Sequence, residues 1–225
     1  MLCWQYIKSK IVSNDKEVTA NEQFYTPLRI ALHSTINVSM IDWFAAIPEL
    51  HKSMVMPQGS MSVLAIGTVN VEREKIFNIY MMDTKLEEFI LQLYCSPNNM
   101  GQGMEVREAT LYRQVRGVTP QTEDEWTVEL YSVGDPELSL DDKLYKRVWS
   151  ENSAGKVDLV SFEEDVIRME ETLHYTNNYM LYGREVVSTV PATETLLVGV
   201  EESENTAELV HCIGLTVPLS AIKVQ

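Results

Sequence analysis

The sequence is short of cysteine and of basic residues, and both shortages narrow what the protein can be. Its three cysteines, Cys3, Cys95 and Cys212, are an odd number without short spacing, so they predict neither a disulfide framework nor a zinc motif. Lysine and arginine total 18 against 33 acidic residues, a formal net charge of -15. Such a field repels phosphate backbones and anionic lipid headgroups, so we expect no nucleic-acid partner.

Long apolar runs and catalytic motifs are missing as well. No stretch approaches the roughly 18 uncharged apolar residues of a transmembrane helix, and the start, "MLCWQYIKSKIV", lacks the pattern of a secretory signal. We therefore expect a cytoplasmic protein without direct membrane insertion. The four histidines have no partners at metal-ligand spacing, and no G-x-S-x-G or P-loop motif occurs. We assign no catalytic residue, metal or cofactor, which favours a protein that is not an enzyme.

The negative charge is concentrated in the C-terminal third. Residues 151–225 carry 13 acids and 4 bases, a net charge of -9, whereas residues 1–100 carry 10 acids and 8 bases, a net charge of -2. Contiguous acidic runs such as "FEEDV" at 162–166 and "EESENTAE" at 201–208 lack the alternating spacing of a calcium loop, so we interpret them as solvated faces. The charge indicates either attraction of a basic protein surface or polyamine, or ordinary solubilising charge.

Most of the chain consists of short β-rich runs separated by turn residues. The stretch 29–40 alternates apolar and polar residues, which is typical of a half-buried strand. The runs 61–71 and 76–82 flank "EREK" as in a hairpin, and 89–95 is typical of a buried central strand. The residues "TEDE" fit a capping box, which predicts a short helix over about 122–133.

This order of elements predicts the fold class and the domain organisation. Regular short strands with little helix indicate a mainly β protein, with α+β as the alternative. We expect antiparallel sheets in a sandwich or a partly open barrel, with one or two short helices including the one at 122–133. Residues 1–26 are predicted to be a flexible lead-in, and 27–225 a single β-rich globular domain.

The segment "HYTNNYMLYGREV" at 174–186 concentrates polar and aromatic side chains. Read as a strand, it separates into a face with Tyr175, Asn177, Tyr179, Leu181 and Gly183 and an opposite face that includes His174, Tyr182 and Arg184. Neither face is wholly apolar, which is expected at a sheet edge, an interface or a pocket wall.

This segment and "LYKRVW" supply the candidate ligand-binding residues. His174, Tyr182 and Arg184 would line a cleft together with Tyr145 and Arg147. The two arginines would hold an anionic group bidentately, and His174 would act as an acid or base. The alternative interpretation is a patterned strand without a ligand.

Six fragments, in this order and spacing, resemble a known family: "AIGTVNVEREKIFNIYMMD", "EFILQL", "EDEWTVEL", "LYKRVW", "NYMLYGRE" and "TLLVGVEE". They are similar to the YjfK-like family of bacterial proteins, a domain of unknown function, over roughly residues 28–222. The resemblance implies a bacterial, cytosolic, single-domain protein without assigned site residues. Through the genes that neighbour this family, it also implies an accessory role in an envelope-stress or membrane-associated assembly.

Three functions therefore stay open from the sequence. The first is a non-catalytic interaction protein whose acidic surface binds a basic partner. The second is a small-molecule binder or enzyme acting on an anionic ligand at the candidate residues. The third is a structural subunit of a homo-oligomer, which would use edge strands or the methionine-rich stretch "MVMPQGSM".

Overall fold

The computed structural model describes residues 26–39, 49–98, 103–169, 171–186, 192–203 and 206–225. The predicted flexible lead-in lies outside these residues, apart from its last position. The division into a lead-in and one domain therefore stays a prediction.

Twelve strands and one short α-helix form the described part of the chain. The first five strands are β1 (Thr35–Val38), β2 (Met61–Val71), β3 (Glu74–Met82), β4 (Glu88–Pro97) and β5 (Met104–Val118). Helix α1 (Glu123–Glu129), β6 (Glu137–Leu140) and β7 (Lys143–Arg147) follow. The last five strands are β8 (Val160–Arg168), β9 (Glu171–Val186), β10 (Ala192–Ser203), β11 (Thr206–Thr216) and β12 (Ile222–Val224).

Eight of these strands close into an antiparallel barrel. Strands β2 to β5 form one meander and β8 to β11 form another, each pairing successive strands. The pairing of β5 with β11 joins the meanders at one side, and the pairing of β2 with β8 closes the barrel at the other. Strands β1 and β12 extend the sheet beside β2, and β6 and β7 extend it beside β9. The mainly β, antiparallel prediction is confirmed, and the barrel is closed.

The outward side of the barrel carries much of the apolar core. Side chains such as Ile79, Leu91 and Leu111 lie side by side on β3, β4 and β5 and are fully buried. They belong to one hydrophobic cluster with Ile36 on β1 and Tyr145 on β7, which lie outside the barrel. Segments before β2 and between β5 and β8 therefore cover the barrel as a second layer, because an apolar sheet face must be buried against another element.

The two described cysteines behave as small buried hydrophobes. Cys95 and Cys212 are both free and buried. Burial raises the pKa of the Cys95 thiol to about 11 and that of the Cys212 thiol to about 12. A buried thiol with a raised pKa is a poor nucleophile.

The hairpin and the central strand are confirmed, and the strand predicted at 29–40 is shorter. Only Thr35–Val38 forms a strand, because Arg29 and His33 have φ angles of 58° and 66° that turn the chain. Met40 lies outside the described residues.

Helix α1 begins where the capping box predicts but ends early. Thr122 Oγ1 accepts a hydrogen bond from the backbone N–H of Glu125, and the helix ends at Glu129. Gly134, at φ 93°, lies beyond a series of turns after the helix, in a conformation that suits glycine.

The buried histidine on β11 makes the fold sensitive to acid. Burial and the charge of Arg116 lower the pKa of His211 to about 4, although Glu129 opposes this. Since the unfolded chain binds the proton more readily, this contribution to stability is present above about pH 6.5 and is lost as the pH falls towards 4.

We predict that His211→Asn reduces the loss of stability between pH 7 and pH 4.5 by roughly 2 kcal/mol. Urea unfolding at both pH values measures this loss. The exposed His33 provides the control, because His33→Asn removes a histidine that is not buried. Equal pH dependence of wild type and His211→Asn would contradict this assignment.

Candidate functional site

The inward side of the barrel surrounds a small cavity of about 40 Å³. Seven of the eight barrel strands contribute to its lining, so this side is the barrel interior. The lining consists of Val69, Ile76, Asn78, Gln92, Tyr112, Trp149, Phe162, Asn177, Tyr179, Leu181 and Leu197. The cavity therefore combines amides, phenols, aromatic rings and aliphatic side chains.

A buried carboxylate lies beside this cavity. Glu164 on β8 is 2 % exposed, and its Oε1 accepts hydrogen bonds from Asn78 Nδ2 at 2.9 Å and Tyr80 Oη at 3.0 Å. Its Oε2 accepts one from Asn177 Nδ2 at 2.7 Å. Gln92 Nε2 donates to Asn78 Oδ1 at 3.0 Å, which extends the network to β4. We call Glu164, Asn78, Tyr80, Asn177 and Gln92 the interior polar cluster.

A glycine on β2 makes room for this carboxylate. A Cβ atom built on Gly67 would lie 1.8 Å from Glu164 Oε1. The Glu164 side chain therefore passes directly over the Gly67 backbone on its way from β8 to β3. Gly214 on β11 does the same for the ring of Tyr112, since a Cβ there would lie 2.4 Å from that ring.

Two opposing effects act on the ionisation of Glu164. Burial raises its pKa, because removal of water disfavours the charged form. Hydrogen bonds from Asn78, Tyr80 and Asn177 oppose this by stabilising the carboxylate. On balance the pKa of Glu164 is raised. A nearby positive charge or a bound proton would therefore stabilise this buried carboxylate.

Two of the predicted site residues meet at a different carboxylate, outside the barrel. Tyr145 Oη donates to Glu194 Oε1 at 2.7 Å, and Arg184 Nε donates to the same oxygen at 2.7 Å. The guanidinium of Arg184 also lies 5.6 Å from the centre of the Tyr145 ring. The backbone N–H of His51 donates to Glu194 Oε2 at 2.7 Å. Arg184 is thus already paired with a fully buried acid of the chain itself.

Arg147 and Tyr182 form a neighbouring structural contact. The guanidinium of Arg147 donates to the backbone carbonyls of Gly134, Ser150, Ser153 and Gly155. Tyr182 Oη accepts a hydrogen bond from the backbone N–H of Gly134 at 2.7 Å. Both side chains hold the loops on either side of β6 and β7 against β9.

An open cleft of about 650 Å³ borders Arg147. It is lined by Asp135, Pro136, Glu137, Lys146, Arg147 and Glu151. Three of these side chains are acids and two are bases, which offers an anionic ligand little net attraction. The binding of an anionic ligand by the predicted residues stays a prediction.

His174 lies apart from the other four predicted residues. It projects outward near the start of β9, is 75 % exposed, and its Nδ1 is 2.6 Å from Asp165 Oδ1 on β8. The separation of 174–186 into two faces is confirmed, since Asn177, Tyr179 and Leu181 line the cavity while His174 and Arg184 face outward.

The interior polar cluster was not predicted from the sequence. Glu164 belongs to the run "FEEDV", whose interpretation as a solvated face is wrong at this position, because strand alternation turns Glu163 and Asp165 outward and Glu164 inward. Glu201 and Glu208 of the second acidic run are buried as well. A glycine within an apolar strand, Gly67, was the available signal, since such a glycine marks the close approach of another group.

No group of three or more His, Cys, Asp and Glu side chains is arranged to hold a metal ion in the part of the chain that the structure describes. Within the same ranges, no helix has the length and apolar character needed to cross a membrane.

Fold and interior together define an antiparallel β-barrel protein with a polar cluster in a mixed interior and a largely apolar, covered exterior. The model of the family described as "Protein of unknown function (DUF2491)" matches residues 9–223. The chain belongs to this family. Neither a curated protein nor a solved structure matches it.

We predict that Gly67→Ala destabilises the fold by about 1–3 kcal/mol, the usual range for overpacking of a filled core. The added methyl group would displace the Glu164 carboxylate from three hydrogen-bond partners. Urea unfolding measures the change. Gly155→Ala is the matched control, because no atom lies within 4 Å of a Cβ built there.

A double-mutant cycle tests the cause of this destabilisation. In the background of Glu164→Ala, the Gly67→Ala change should cost clearly less than in the wild type, because the clashing carboxylate is gone. Additive costs would show that the Gly67→Ala effect does not arise from Glu164.

Proposed function

We propose that the protein is a non-catalytic accessory protein that binds a basic surface of a partner protein. The carrying observation is an acidic strip on the outside of the barrel, formed by Glu163 and Asp165 on β8 with Thr176 and His174 opposite them on β9. We call these four residues the outer acidic strip. It supports the proposal because it is exposed, ordered by its own contacts and negatively charged.

Exposure sets this strip apart from the neighbouring barrel surface. The outward side chains of β8 at Ser161, Glu163 and Asp165 are exposed, whereas outward residues on β3, β4 and β10, such as Val198, are buried under the second layer. This part of the barrel is thus left accessible, and two of these three side chains on β8 are acidic.

Hydrogen bonds hold both carboxylates of the strip in place. Thr176 Oγ1 donates to Glu163 at 3.3 Å, and His174 Nδ1 lies 2.6 Å from Asp165 Oδ1. Carboxylates that are already oriented lose less side-chain freedom on binding, which favours affinity for lysine and arginine. The formal net charge of -15 adds long-range attraction for a basic partner.

The resemblance to the YjfK-like family supports a finer proposal. We place this binding activity in an envelope-stress or membrane-associated assembly of a bacterial cytoplasm, with a basic protein as the partner and a polyamine as a competing ligand. A protein that positions other components in this way requires a binding surface and no reaction.

We predict that wild-type protein binds a fluorescent octalysine peptide with an affinity that falls steeply with salt. The Glu163→Lys/Asp165→Lys double variant should weaken this binding about tenfold or more at low salt, because attraction becomes repulsion at the contact. Fluorescence anisotropy at low and high ionic strength measures both effects, and spermidine serves as the competitor.

The matched control reverses the same number of charges elsewhere. Glu123→Lys/Asp124→Lys changes two exposed acids at the start of α1 and should weaken peptide binding only slightly. Equal losses in the two double variants would mean that net charge alone attracts the peptide. Salt-independent binding would contradict electrostatic docking altogether.

A further inference from the structure

The interior polar cluster and its cavity offer binding groups that are separate from those of the outer acidic strip. We propose that the barrel interior binds a small primary ammonium group, the end of a linear amine, with Glu164 as its counter-ion. This site is separate from the outer acidic strip and lies on the opposite side of β8. Its test does not depend on the proposed docking function.

Glu164 carries a buried carboxylate whose hydrogen-bond donors are neutral side chains. A carboxylate has about four acceptor positions, and neutral donors from Asn78, Tyr80 and Asn177 occupy three of them. Among the ion pairs formed by side chains in the described ranges, none includes Glu164. Burial of a carboxylate is costly, and an ammonium group supplies both a positive charge and a further donor.

The cavity lies beside the hydrogen-bond partners of Glu164. Asn78 and Asn177, which bind both oxygens of Glu164, also line the cavity, as does Val69, which pairs with Glu164 in the β2–β8 register. A ligand in the cavity is therefore placed against the interior polar cluster.

The other walls of the cavity are aromatic and aliphatic. Trp149 and Phe162 form an edge-to-face pair with ring centres 5.6 Å apart, and Tyr112 and Tyr179 complete an aromatic lining. Aromatic faces attract cations within about 6 Å. Aliphatic walls suit a methylene chain, and they are formed by Val69, Ile76, Leu181 and Leu197.

The size and position of the cavity restrict the ligand further. A volume of about 40 Å³ accepts an ammonium group with its first methylene groups, since one water needs only about 10–15 Å³. Phe162 near the start of β8 and Leu181 near the end of β9 place the cavity towards one end of the barrel. Both are partly exposed, as is Trp149, so the amine chain would extend between them towards solvent.

The experiment is a calorimetric titration of the full chain with n-butylammonium chloride at constant ionic strength, together with thermal unfolding. We expect saturable one-site binding and an upward shift of the unfolding temperature that follows ligand concentration. Glu164→Gln should weaken binding about tenfold or more, because it removes the counter-ion. Glu163→Gln is the matched control with unchanged binding, since its carboxylate lies on the outside.

A second variant keeps the test decisive if Glu164→Gln does not fold. Leu197→Phe fills the cavity while it leaves the carboxylate in place, and it should abolish butylammonium binding. Wild-type protein that shows no saturable binding would overturn the proposal, as would a Glu164→Gln or Leu197→Phe protein that binds like wild type. Equal binding of potassium or tetramethylammonium chloride would overturn the assignment to a primary ammonium group.

The two functions can fail separately. The Glu163→Lys/Asp165→Lys protein should lose octalysine and still bind butylammonium, whereas Leu197→Phe should do the reverse. Loss of both ligands in either variant would contradict the existence of two distinct sites.

Discussion

The closure of the barrel depends on the hydrogen bonds of one buried carboxylate. Strands β2 and β8 share only four register pairs, whereas β9 and β10 share eleven. Glu164 reinforces this short seam from inside, because it crosses Gly67 of β2 to reach β3 and also binds β9. Each such hydrogen bond contributes only about 1 kcal/mol net, but the loss of the carboxylate would remove one acceptor from three donors at once. The seam and the polar interior are therefore one structural feature.

The polar interior has a consequence for the outer surface. The barrel strands alternate between an inward side with the interior polar cluster and an outward side with much of the apolar core, so the outward side needs its own cover. The segments before β2 and between β5 and β8 supply this cover, and Arg147 holds part of it through four backbone carbonyls. β8 departs from this pattern, since its outward residues Glu163 and Asp165 are acidic and need no cover.

The sequence predicted local structure well and the site poorly, for one physical reason. Alternation and turn chemistry are local, so they indicated the hairpin at β2 and β3, the start of α1 and the two faces of β9. Closure of the barrel is not local, because the contact between Glu164 and Asn78 joins residues 86 positions apart. The five predicted site residues were chosen by residue type, and all five have partners within the chain.

Three consecutive acidic residues on β8 place carboxylates on both sides of the barrel wall. Glu163 and Asp165 face outward and Glu164 faces inward, so like charges lie on both sides of a single strand. A cation on either side neutralises part of this charge, more strongly at the buried site, where water screens least. Because both proposed ligands are cations, binding on one side would weaken binding on the other, and thermodynamic linkage requires this effect to be reciprocal. A small amine bound in the interior would thereby change the affinity of the outer acidic strip for its partner through electrostatics alone.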